Sequence, residues 1–248
     1  MKLRYALCLS LAPWFAFGGF AAADEFTPAQ KEELGVFIKD YLVAHPDVLR
    51  AAIEALDKHD KQVAEDERQK AVSDQAGELF GSKFQATVGN PKGSATLVEF
   101  FDYNCGYCKR ALPDMMTLLK TDSNIKFVLK EFPVLGEGSV EAAHVAVAAR
   151  MQDPTGKKYI DFHQKLLGGR GPADKARALA VAKEVGFDMP RLEKDMNSDE
   201  VKTTIDEDMK LADTLGVNGT PSYVIGNELV VGAVGLDALK EKIAAGNK

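Results

Sequence analysis

The stretch "LVEFFDYNCGYCKRALPDM" (residues 97–115) runs an apolar pattern straight into two cysteines separated by two residues, then into helical spacing. Its upstream part, "ATLVEFFD" (95–102), is a short apolar run of the kind that forms a buried strand. "NIKFVLKEF" (124–132) reads as another, with an amphipathic helix from Cys105 to about Lys120 between them. Strand, helix, strand is a βαβ unit, whose connection is expected to be right-handed. The fold class is therefore α/β. The pair Cys105 and Cys108 then has three readings: a metal clip, a structural disulfide, or a working redox pair.

The start of the chain bears on this choice. "MKLRYALCLSLAPWFAFGGFAAADEF" has a positive beginning at Lys2 and Arg4, an apolar stretch from Ala6 to Phe20, and small residues at Ala21–Ala23. That is the pattern of a cleavable signal peptide over residues 1–23, and it predicts export. Cleavage would leave 225 of the 248 residues and move the net charge from −6 to −8, because Lys2 and Arg4 are lost. An acidic chain of this kind is a poor partner for nucleic acid. Cys8 would leave with the signal, so the mature chain keeps two cysteines. A bridge between them closes a tiny loop and restricts the unfolded chain very little, which argues for chemistry over stapling. Structural zinc wants four ligands, usually as two close pairs. The histidines at 45, 59, 144 and 163 are not paired at ligand spacing, and Glu141 with His144 makes a single E-x-x-H, half of what a dimetal bundle uses. No metal site is expected from these residues, although two-coordinate Cu(I) binding by the two thiolates stays open.

The redox reading has a physical basis. Cys105 opens the helix, where unpaired N–H groups and the helix dipole favour a negative sulfur, the attacking species in disulfide exchange. Cys108, one turn on, is placed to resolve the mixed disulfide, and Gly106 and Tyr107 between them tune the pair. C-x-x-C beside a βαβ pattern is the signature of a thioredoxin-like site.

The remainder of the chain divides by texture. Residues 24–84 look helical: Thr27 and Pro28 form an N-terminal start signal, and a second helix begins near Pro46 with Leu49, Ile53 and Leu56 on one stripe. After Leu56 the stripe decays into "DKHDKQVAEDERQK", too polar to bury, which predicts a solvated connector. The short stripe ahead of it needs a partner, and a second copy of the chain supplies one economically, making a dimer or trimer. Residues 137–215 are a run of helices, "SYVIGNELVVGAVG" is a hairpin turning at Gly226–Asn227, and Leu236–Ala245 is a last helix.

"VEFFDYNCGYCKR", "KEFPVLG", the helical insertion and "GVNGTPSYVIG" together resemble the DsbA family of thioredoxin-fold proteins from the bacterial periplasm, in particular its ScsC-like and Com1-like members with helical N-terminal extensions. The resemblance implies a thioredoxin fold with a helical insertion over 85–248, preceded by an oligomerisation region over 24–84. It implies that Glu99, six residues before Cys105, sits beneath the active site as a proton acceptor for the resolving sulfur, with Lys130 as a counter-charge. Thr220–Pro221 would be a cis-proline loop packed on the redox pair, able to pair with a substrate strand. The implied activity is thiol–disulfide exchange on unfolded or misoxidised secreted proteins. The helical extension favours an isomerase or reductase kept reduced by a membrane electron donor of the DsbD or ScsB type. A DsbA-like oxidase and a Cu(I)-binding copper-tolerance protein are the alternatives.

Overall fold

The computed structural model describes residues 26–246, so the expected signal peptide and the final two residues lie outside the described residues. The chain divides into two compact units, one ending at His59 and the other running from Asp60 onward.

In the first unit, helix α1 (Pro28–Ala44) starts as its sequence predicts. Thr27 accepts the Gln30 backbone N–H, Gln30 reaches back to the Thr27 N–H, and Pro28 occupies the first turn. Helix α2 begins at Pro46 and continues to Asp74. None of the α1 residues is buried. Phe37, Leu49, Ile53 and Leu56 are all about half exposed, at 66%, 47%, 52% and 58%.

The second unit is built on a five-stranded sheet of order β1-β3-β2-β4-β5. Strand β2 (Ala95–Phe101) leads into α4 (Gly106–Thr121) and returns as β3 (Ile125–Glu131), parallel to β2. β1 (Ala86–Gly89) adds antiparallel to β3, and β4 (Ser222–Ile225) and β5 (Glu228–Val231) form the expected hairpin beside β2. Between β3 and β4 run α5 (Glu137–Met151), α6 (Lys157–Leu167), α7 (Lys175–Val185), α8 (Met189–Asp195) and α9 (Asp199–Thr214); α10 (Leu236–Gly246) closes the chain. Strand β1 and helix α8 were not foreseen. Four residues ending in glycine, and seven ending in "EKD", carry too little periodicity to read.

"ATLVEFF" has no polar face because both sides of the sheet are covered. Alternate residues point to opposite faces. Leu97, Phe101, Phe127 and Leu129 pack with α4, α10 and the inserted helices, whereas Val98, Phe100 and Val128 pack with Leu79 of α3 (Ala76–Gly81) and Leu211 of α9.

This alternation corrects one expectation. Lys130 pairs in register with Phe100, not with Glu99, and so points to the opposite face. There its ammonium donates to the Glu78 carbonyl at 2.9 Å and lies 3.2 Å from an Asp208 carboxylate oxygen. Asp208 also accepts the Glu131 N–H at 2.9 Å. Burial raises the Asp208 carboxyl to about 6, with Lys130 pulling in the other direction. Lys130 is a strut joining α3, β3 and α9. Lys130→Ala is expected to cost about 3–5 kcal/mol, because Asp208 is left buried and uncompensated. Adding Asp208→Leu should recover part of the loss. Urea unfolding at neutral pH checks this, and a single mutant within about 1 kcal/mol of the parent would refute the strut.

Candidate active site

The strand-to-helix junction places both cysteines. Cys105 is the N-cap of α4, and its backbone N–H bonds the Asp102 carbonyl at 3.0 Å. Its sulfur faces the free N–H groups of the first turn, and the Cys108 N–H donates to it at 3.5 Å. Both cysteines are free thiols and both are buried, Cys105 with 6% of its surface exposed and Cys108 with none. Gly106 and Tyr107 lie at the surface, Tyr107 58% exposed with the Arg110 guanidinium 4.1 Å from its ring centre. Nothing stands within 4 Å of where a Gly106 side chain would begin, so that edge of the site is open.

The second wall comes from 115 residues downstream. The Cys105 thiol donates to the Thr220 carbonyl at 3.2 Å, and the Thr220–Pro221 peptide bond is cis. Ser222 holds this loop by donating to the Gly219 carbonyl at 2.7 Å, and the N–H of Gly232, just past β5, holds it through the Pro221 carbonyl at 2.8 Å. The Thr220 backbone and the Cys105 sulfur therefore form one edge.

Beneath them lies Glu99, 3% exposed and on the sheet face that packs against α4. Burial pushes its carboxyl up to about 8, with Tyr223, its neighbour across β4, pulling the other way. One Glu99 oxygen, Oε2, has no hydrogen-bond partner. Burial also drives the Cys108 thiol well above its ordinary range; the Asp102 backbone pulls it partly back, and Glu99 and Cys105 push it up again. Cys108 thus holds its proton at neutral pH beside a carboxyl group that titrates late. Sequence reading missed Tyr223, although its place in "PSYVIG" on the strand after Pro221 marks it.

It also missed a polar cluster around the loop. Buried Asp102 accepts the Asn104 N–H at 2.7 Å, the Ser139 hydroxyl at 2.7 Å and the Leu135 N–H at 2.9 Å. Behind it, the Tyr103 hydroxyl lies 3.3 Å from His163 Nδ1 and 3.5 Å from the Tyr159 hydroxyl, and Tyr159 donates to Glu131 at 3.3 Å. Burial lowers His163 to about 3, so the ring is neutral at ordinary pH. Among the described residues, no three His, Cys, Asp or Glu side chains converge as a metal site. No described helix is long and apolar enough to cross a membrane.

The fold matches known proteins. The DsbA-like thioredoxin domain matches residues 96–244, and the N-terminal domain of the copper resistance protein ScsC matches residues 30–62. A thioredoxin-like oxidoreductase from Silicibacter pomeroyi is 43% identical, with a TM-score of 0.64 over 68% of this chain and 95% of that one. The thiol–disulfide exchange protein alpha-DsbA2 from Wolbachia pipientis is 31% identical, with a TM-score of 0.67 over 73% and 96%. The Na(+)/H(+) antiporter NhaA 1 of Salinispora arenicola is 26% identical over 63% of this chain, and the match spans 24% of that protein's length.

Proposed function

We propose that this chain, which belongs to the DsbA-like thioredoxin family, is a periplasmic thiol–disulfide oxidoreductase that works on proteins as an isomerase or reductase. The observation that carries the chemistry is the Cys105 sulfur, held at the start of α4 and against the Thr220 carbonyl at 3.2 Å. An incoming disulfide can lie along the Thr220 backbone as an added strand, which puts one of its sulfurs in line with Cys105.

The steps follow from the surroundings of each group. Cys105 attacks as the thiolate, a substrate S–S bond breaks, a mixed disulfide forms, and one substrate thiolate leaves. If a second substrate thiolate then attacks that mixed disulfide, Cys105 is released reduced and the substrate has been rearranged. If Cys108 attacks instead, its proton passes to Glu99 in the minority of molecules that hold that carboxyl ionised at neutral pH, the Cys105–Cys108 disulfide forms, and the substrate departs with two electrons. A membrane donor of the DsbD or ScsB type would then return two electrons and two protons to the pair.

The first unit supports the isomerase side of this reading. Its exposed Phe37, Leu49, Ile53 and Leu56 form the kind of apolar surface that a second copy covers. Joining copies there, through the region 24–84, would present several active sites to one unfolded chain. The expected result is that the full chain refolds scrambled ribonuclease in metal-free buffer and sediments as a dimer or trimer. A protein lacking residues 24–59, which keeps α3 on the sheet, should sediment as a monomer, still reduce insulin, and lose most of its isomerase activity. Monomeric mass in both proteins would remove the oligomer, and rescue of an oxidase-deficient strain by the full chain would favour the oxidase.

The match of residues 30–62 to a domain named for copper resistance favours one second reading, in which the adjacent thiols of Cys105 and Cys108 hold Cu(I). It predicts no refolding activity in metal-free buffer and tight Cu(I) binding that Cys105→Ser removes.

A further inference from the structure

We propose that Lys109, Arg110 and Arg170 form a cationic rim beside Cys105 that selects partner proteins whose reacting cysteine is flanked by carboxylates. The proposal rests on the exchange reading above and adds the class of substrate to it.

The rim runs against the charge of the molecule, which carries 37 acidic and 31 basic residues. The first two turns of α4 hold Lys109 and Arg110 and meet no acidic residue until Asp114. The Lys109 ammonium donates to the Gly171 carbonyl at 3.3 Å, which brings α4 to the loop "GGRGPAD" (168–174) of the helical insertion. That loop carries the exposed Arg170, whose carbonyl accepts from the Arg177 guanidinium.

Asn104 fixes the loop next to the nucleophile. Immediately before Cys105, its amide donates to the Ala173 carbonyl at 2.8 Å and accepts the Ala173 N–H at 2.7 Å. The side chain thus pairs with the Ala173 backbone as a neighbouring strand would, and a third bond, to Ser139 at 2.9 Å, holds its orientation. The 168–174 loop is consequently part of the site and not a free turn.

No described carboxylate neutralises the rim. Among the described residues, none of Lys109, Arg110 and Arg170 lies within ion-pair distance of a carboxylate. Asp174, the acid inside the loop, is engaged as the N-cap of α7 through the Arg177 N–H at 2.8 Å. Three cations without a carboxylate partner, two on the first turns of α4 and one on the loop that Asn104 pins next to Cys105, put positive charge on that side of the site. Such a field draws in an acidic segment and turns away a basic one.

Three peptides test this, each closed by the same disulfide and flanked by Asp/Glu, by Ser/Thr or by Lys. The full chain should reduce the acidic peptide about tenfold faster than the neutral one at low salt. The advantage should collapse near about 0.5 M salt, where screening shortens the reach of the field to a few ångströms. Lys109→Gln with Arg110→Gln and Arg170→Gln should bring the acidic-to-neutral ratio to about one, and Glu at the three positions should invert it. Because the ratio is taken within one protein, a misfolded fraction cancels. Equal rates for all three peptides at low salt, or a ratio indifferent to the three substitutions, overturn the rim. No reduction of any peptide by the parent chain overturns the exchange reading along with it.

Discussion

Cys108→Ser is expected to stop the protein half-way, accumulating a mixed disulfide between Cys105 and its protein substrate. Cys105 keeps its position at the α4 start and against Thr220, so the first attack proceeds. The intramolecular thiol that clears the intermediate is then missing. An internal nucleophile is worth a very large effective concentration, so turnover in insulin reduction should fall by about 10³-fold or more. Cys105→Ser should lose the same activity without forming the intermediate at all. Non-reducing gels of the two variants, incubated with a reduced and reoxidised client, separate them. Mixed disulfide accumulating in Cys105→Ser and not in Cys108→Ser would exchange the roles assigned to the two sulfurs, and equal amounts in both would remove the assignment. The asymmetry has a structural cause: Cys105 is 6% exposed at the open edge, whereas Cys108 is fully enclosed.

Glu99→Gln is expected to change both the pH dependence of stability and the release step. The folded carboxyl titrates near 8, against 4.5 when burial is absent. Its folded pKa is raised, so the favourable contribution is complete below the unfolded value and is lost as the pH climbs from about 4.5 to about 8. At about 1.4 kcal/mol per pH unit, the difference across that window is of order 5 kcal/mol. The glutamine variant does not titrate, so its stability should be flatter by several kcal/mol between pH 5 and pH 9. Denaturant unfolding at the two values measures it, and parallel losses in the two proteins would show that Glu99 is not the buried acid responsible. The same substitution removes the carboxyl whose ionised form can take the proton of the high-titrating Cys108 thiol. Release of substrate from the mixed disulfide should slow by about 10²-fold. A structural role alone would leave that step untouched.

Much of the site was legible before any coordinates. Cys105 and Cys108 announce themselves because C-x-x-C after an apolar strand puts the first sulfur at a helix start, and that is local geometry. Thr27, Pro28 and Pro46 mark helix starts for the same reason: the signals act within one turn. Glu99 was marked by apolar neighbours on both sides, which only a strand covered on two faces explains. The failures share a different cause. Lys130 sits in an equally apolar strand, yet which face it took depends on register with Phe100, so its partner became Asp208, 78 residues away. Asn104, Asp102 and Ser139 carry no motif; each matters because the insertion folds back on the active-site loop. Tyr223 gains its meaning from lying opposite Glu99 across a sheet whose strands are far apart in the chain.

By itself, then, the sequence determined the βαβ core, the place of Cys105 and Cys108 at a helix start, most of the helices and the hairpin, and an N-terminal region too apolar on one stripe and too polar beyond it to stand alone. Periodicity and spacing decide those features through contacts within a few residues. The tertiary structure alone decided which carboxyl lies under Cys108, which backbone faces Cys105, and which loop the Lys109 ammonium reaches. These depend on strand register and on a loop pinned from 69 residues away by the Asn104 amide. Long-range packing sets both, and no local pattern encodes it.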